Sequence, residues 1–84
     1  MYKELVQNVI ESCKNDNSYV VMLKTSKLKE TQQKLDEKCT LVHSVNNIIN
    51  RYKYKEYEFS FYITGKLMIK NVKNIEQFLE DVLS

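Results

Sequence analysis

Apolar and polar residues alternate most regularly towards the end of the chain. From Tyr57 to Ile63, the side chains of Tyr57, Phe59, Phe61 and Ile63 fall on one side of an extended backbone and Glu58, Ser60 and Tyr62 on the other. Thr64-Gly65 then offers a two-residue reversal containing the only glycine, where a positive φ carries no steric penalty. Lys66 to Val72 alternates again, with Leu67, Ile69 and, at the end, Asn71 on the apolar side. Asn74 has the place and chemistry of a helix N-cap, with Gln77 positioned to bond back to it. Behind it, Ile75, Phe78, Leu79 and Val82 recur at helical spacing, leaving Glu76, Glu80 and Asp81 outside. A hairpin with one apolar face followed by a helix with one apolar stripe is expected to cover itself.

The amino-terminal part gives a weaker pattern. Leu5, Val6, Val9, Ile10 and Cys13 lie at helical spacing, which predicts an amphipathic helix ending at the turn-rich Asn15-Asp16-Asn17-Ser18. Tyr19 to Leu23 is short, β-branched and apolar on both faces, as a central strand with two neighbours would be. Ser26 is a candidate cap for a second helix reaching Glu37. Its only apolar residues, Leu28 and Leu35, leave it largely exposed. Cys39 to His43 reads as extended. Between Ser44 and Tyr52 two periods compete: Val45, Ile48, Ile49 and Tyr52 fit a helix, whereas Arg51 to Lys55 alternates like a strand. The favoured reading is a short helix to about Asn50, then extended chain. The fold class expected is α+β: one domain over residues 1–84, with an antiparallel sheet of about four strands, helices on one face, and amphipathic helices at both ends.

Composition adds exclusions. The longest apolar run is Tyr19 to Leu23, too short to cross a bilayer or to serve a signal peptide, so an intracellular protein is expected, cytoplasmic or, in a eukaryotic host, nuclear. In that compartment Cys13 and Cys39 should remain reduced. The 12 Lys against 1 Arg, with 8 Asn, 6 Ile and 6 Tyr, is the usage of an AT-rich genome, viral or cellular. His43, the single histidine, lacks the partners at zinc spacing that a metal site needs, and pairing with Cys13 as a nucleophile would require a thiolate on an apolar stripe. Asp36-Glu37 and Glu80-Asp81 have the positions of solvating carboxylates. With no glycine-rich cradle and no nucleophile motif, the chain is expected not to be an enzyme and to need no cofactor, metal or small-molecule substrate.

Charge is uneven. Residues 24–73 carry 11 basic against 5 acidic side chains, whereas both ends are acidic. On a sheet with one open face, Arg51, Lys53, Lys55, Lys66 and Lys70, on that face or its rim and with Tyr62 between them, would suit DNA or RNA, the cations neutralising phosphates and the ring stacking on a base. These residues would equally serve as ordinary solvated lysines and edge-filling tyrosines.

The order strand, lysine-rich helix, strand, hairpin and terminal helix resembles one half of the TATA-box-binding protein fold, which also occurs as an amino-terminal domain in type-three ribonuclease H. The local match is Phe59-Ser60-Phe61-Tyr62-Ile63-Thr64-Gly65-Lys66-Leu67 followed by Asn71-Val72-Lys73-Asn74-Ile75-Glu76, with Asn71 where that family usually has glycine. Such folds normally work as two joined halves, so the resemblance implies that a second copy or a partner protein supplies the other. A homodimer would form through sheet edges or through the first helix, whose Leu5, Val9 and Ile10 are the candidate protein interface. The competing expectation is that this helix lies across the open sheet face of a monomer.

Overall fold

A computed structural model describes residues 2–84. The strands are β1 (Val6–Cys13), β2 (Ser18–Leu23), β3 (Thr40–Val45), β4 (Ile49–Tyr54), β5 (Tyr57–Tyr62) and β6 (Lys66–Ile69); the helices are α1 (Leu28–Lys38) and α2 (Ile75–Leu83). All six strands form one antiparallel sheet in the order β1-β2-β6-β5-β4-β3. The class is α+β, as the alternation predicts, but the sheet has six strands instead of about four. The additional ones are the two segments whose spacing looked helical.

The first correction is β1. Its pairing with β2 slips between Val6 and Asn8 and again between Glu11 and Cys13. Each slip inserts an unpaired residue, so side chains three apart share a face: Val6 and Val9 lie opposite Leu23 and Val21, while Ile10 and Cys13 lie opposite Val20 and Ser18. Bulges thus give a strand the i, i+3 spacing of a helix. Leu5, Val9 and Ile10 are therefore not one helical stripe. Leu5 is sealed in the core, Val9 packs against it from the edge, and Ile10 faces the other way.

The second correction falls at residues 44–52. Asn46 and Asn47 both have left-handed backbones (φ 51° and 58°), and the Ile48 amide donates to the Val45 carbonyl at 2.9 Å. Two consecutive positive φ values form a hairpin reversal that asparagine tolerates best among non-glycine residues. The chain therefore turns from β3 into β4 with no helix. Ile63 also leaves its expected place. The β5–β6 loop is Ile63-Thr64-Gly65, with Gly65 at φ 110°, and Ile63 is exposed in it. Asn71 adopts a left-handed turn after β6, and its amide bonds to the Asp16 carbonyl at 2.9 Å.

The sheet residues Val21, Leu23, Tyr52, Phe59, Phe61, Leu67 and Ile69 are buried on the side that both helices cover. Phe78, Leu79, Val82 and Leu83 enter from α2, and Leu35 from α1. Phe78 anchors the α2 contact, its ring edge-on to Phe59 at 5.2 Å and Tyr57 at 5.4 Å. Asn74 caps α2, accepting from the Gln77 amide at 3.1 Å, but the Gln77 side chain reaches forward to Asp81 rather than back to the cap. Ser26 does not cap α1: it lies in a 3₁₀ turn over Thr25–Lys27, and Lys27 precedes the helix without a side-chain cap. Among the described residues no helix is long and apolar enough to cross a bilayer.

Candidate nucleic-acid interface

The strand register places the uncovered face in three cross-strand rows. Asn8, Met22, Lys66, Tyr62, Ile49 and Val45 make one. Ile10, Val20, Met68, Ser60, Arg51 and His43 make the middle row. In the third, Cys13 pairs with Ser18 across β1–β2, and Glu58 with Lys53 and Thr40 across β5–β4–β3. These residues oppose one another because backbone alternation sends them all away from the helices. The β1–β2–β6 half is mainly aliphatic and thioether, with Lys66 as its charge; Arg51, Lys53 and Glu58 lie on the β5–β4 half.

Four of the six residues expected to meet nucleic acid, Arg51, Lys53, Tyr62 and Lys66, share this face. Lys66 stands across from Tyr62, with its ammonium 5.0 Å from the ring centroid. Arg51 reaches the Glu58 carboxylate at 3.7 Å, with both side chains more than half exposed, so the pair is weak and leaves guanidinium donors for another ligand. Lys53 also faces Glu58. The other two lie at the rim. Lys70 follows β6, and Lys55 occupies the β4–β5 turn at φ 54°, its ammonium 5.3 Å from the Tyr54 ring. The face encloses a broad solvent-open depression of about 1100 Å³, lined among others by Arg51, Lys53, Ser60, Tyr62, Met68 and Lys70. Val20 and His43 join this face unforeseen, although strict alternation of β2 was enough to place the first; Ser60 lies there with Tyr62, as the alternation of β5 predicts.

The other groups considered from the sequence lie apart from this face or from one another. Cys13 and His43 lie on opposite edge strands, five spacings or about 24 Å apart. Cys39 follows α1, and burial pushes its thiol up to about 11, with Lys38 pulling down and Asp36 pushing up. Burial, and then the hydrogen bond to Asp36, raises the Tyr52 phenol above its ordinary range. Among the described residues no three His, Cys, Asp or Glu side chains gather as a metal site would require. No protein-family model, curated protein or solved structure matches the chain.

Proposed function

We propose that this chain is a small, non-enzymatic, intracellular nucleic-acid-binding module whose uncovered sheet face contacts the phosphate backbone. The observation that carries the reading is the convergence of Arg51, Lys53, Lys66 and Tyr62 on one open face, where Glu58 is the acid within the paired strands and Asp16 and Glu56 stand at the margin of the depression. Cations beside an aromatic ring on an unobstructed sheet can neutralise phosphates and stack on a base at once. The likeness to half of a TATA-box-binding fold is consistent with this role. From β2 onwards the elements run strand, lysine-rich helix, strand, hairpins and terminal helix. The unpaired Cys13 and Cys39 accord with a reducing compartment.

Fluorescence anisotropy with random-sequence DNA and RNA tests it. Binding should weaken steeply between about 50 and 200 mM salt, and Lys53→Gln with Lys66→Gln should flatten the log–log slope by about 2. Absence of binding at low salt, or binding indifferent to salt, would overturn the reading. The aliphatic half of the face, Ile10, Val20, Met22 and Met68, favours a second reading as a protein-docking module. Under it, nucleic acid does not bind and Met68→Lys abolishes association with the partner protein.

A further inference from the structure

The middle cross-strand row explains where the open face is hollow. Ser60 is its smallest side chain and stands between Arg51 on β4 and Met68 on β6, so the surface dips there. Tyr62 and Glu58, two residues to either side of Ser60 on β5, border the dip, and all five line the depression. Polar and apolar groups are segregated across it. Arg51 and Lys53 lie on the β4 side; Met68, and beyond it Met22 on β2, lie on the other, 36% and 37% exposed. From β4 to β6 is two strand spacings, about 10 Å. The Lys66 ammonium, 5.0 Å from the centroid of the part-exposed Tyr62 ring, adds a cation beside the one aromatic of this surface.

We infer that this face takes single-stranded nucleic acid in preference to a duplex, with phosphates following β4 over Arg51 and Lys53 while bases enter the dip at Ser60 against Tyr62 and Met68. The inference rests on the nucleic-acid reading above and narrows it to one class of ligand. A single strand is divided as the face is, charged along one edge and flat and apolar along the other. A duplex keeps its bases stacked inside and presents phosphate and sugar outside, so Met68 and Met22 would meet polar groups and the dip would stay unfilled. Charge points the same way. Binding by phosphate contacts alone scales with the cations brought to the backbone, and here the chain carries a net charge of only +2, with Glu58, Asp16 and Glu56 lining the depression. Stacking has to supply much of the affinity, and only unpaired bases are free to stack. Glu58, which repels a phosphate, can accept a hydrogen bond from the exocyclic amine of a base, as a carboxylate does from cytosine.

Three labelled probes compared by anisotropy in one low-salt buffer test this: mixed-sequence single strands of DNA and of RNA, each about 15 nucleotides, and a blunt duplex of the same DNA. The two single strands should bind about tenfold or more tightly than the duplex, and their ratio tells which backbone is preferred. Tyr62→Ala should weaken single-strand binding about tenfold at every salt concentration, leaving the log–log salt slope and the duplex affinity unchanged, and Tyr62→Phe, which keeps the ring, should restore it. On the unaltered protein, the methyl resonances of Met22 and Met68 should shift under the ring currents of bound bases when a single strand is added, and not when the duplex is. Duplex binding as tight as single-strand binding, with Tyr62→Ala indifferent and the methyl signals unmoved, overturns this inference and leaves the broader nucleic-acid reading standing. Absence of binding to all three probes overturns both. If Tyr62→Ala fails to fold, the probe ratio and the methyl shifts of the unaltered protein decide.

Discussion

The hydroxyl of Tyr52, in the middle of β4, donates a 2.7 Å hydrogen bond to Oδ1 of Asp36 in the last turn of α1. The Tyr52 ring is buried and stacks on Phe59 at 5.8 Å, so a single side chain is both a core filler and a tie between helix and sheet. Tyr52→Phe keeps the ring and removes the tie, and should cost about 1–2 kcal/mol in urea unfolding. The phenol also sets an alkaline limit. Its folded pKa lies above the ordinary 10.0, so its contribution is complete below pH 10 and is lost as the pH climbs towards the raised value. The stability of the native protein should fall over that alkaline range more steeply than that of Tyr52→Phe.

Phe61 is the next-to-last residue of β5, the strand that was clearest in the sequence, and it is 1% exposed. Phe61→Ala should cost about 3–5 kcal/mol. For a domain of this size that is a large part of the whole stability, and thermal melting monitored by circular dichroism should show a broad or absent transition.

Leu5 precedes β1 and is also 1% exposed, and its carbonyl accepts from the Lys24 amide at 2.9 Å. Leu5→Ala should cost about 2–5 kcal/mol. Removing residues 1–14 takes away the strand beside β2 as well, and the shortened chain should be insoluble or unfolded. Recovery of a soluble, cooperatively melting fragment 15–84 would show that β1 is an accessory to the sheet rather than part of it.

The clearest sequence signals were the local ones. The central placement of β2, the Asn74 cap and apolar stripe of α2 and the inward set Phe59, Phe61, Leu67 and Ile69 followed from local chemistry, alternation and spacing alone. Two bulges disguised β1, because they reproduce helical spacing in an extended chain. At Val45–Tyr52 the i, i+3, i+4 pattern masked the stronger signal of Asn46-Asn47, a pair suited to consecutive left-handed residues. The burial of Val72 depends on the 70–73 loop folding against the Asp16-Asn17 turn, a contact between segments more than fifty residues apart that no local pattern encodes. For the candidate face, Arg51, Lys53, Tyr62 and Lys66 were placed together by strand parity, whereas Lys55 and Lys70 take the rim, the other place expected for these cations, because their strands end before them.

Cys39 should be a slow thiol. Burial holds it protonated up to about 11, against an ordinary 9.0, which cuts the thiolate fraction at pH 8 by about a hundredfold; the greater nucleophilicity of a more basic thiolate returns part of that. Iodoacetamide labelling followed by peptide mass spectrometry should find Cys39 reacting about tenfold more slowly than a free thiol standard at pH 8, with the rate still rising above pH 10.

β6 lies between β2 and β5, so the last strand made is a bridge between parts of the sheet made earlier. During synthesis from the amino terminus, β1–β2 and β3–β4–β5 can each pair with sequence neighbours, but each group keeps one bare inner edge until residues 66–69 appear. α2, which covers the aromatic core, comes later still. The nascent chain therefore carries exposed strand edges and the uncovered rings of Phe59 and Phe61 until residues 66–83 have been made and are free to move. Dependence on chaperones should be greatest in that interval, and a stalled chain ending near residue 65 should be far more aggregation-prone than the finished protein.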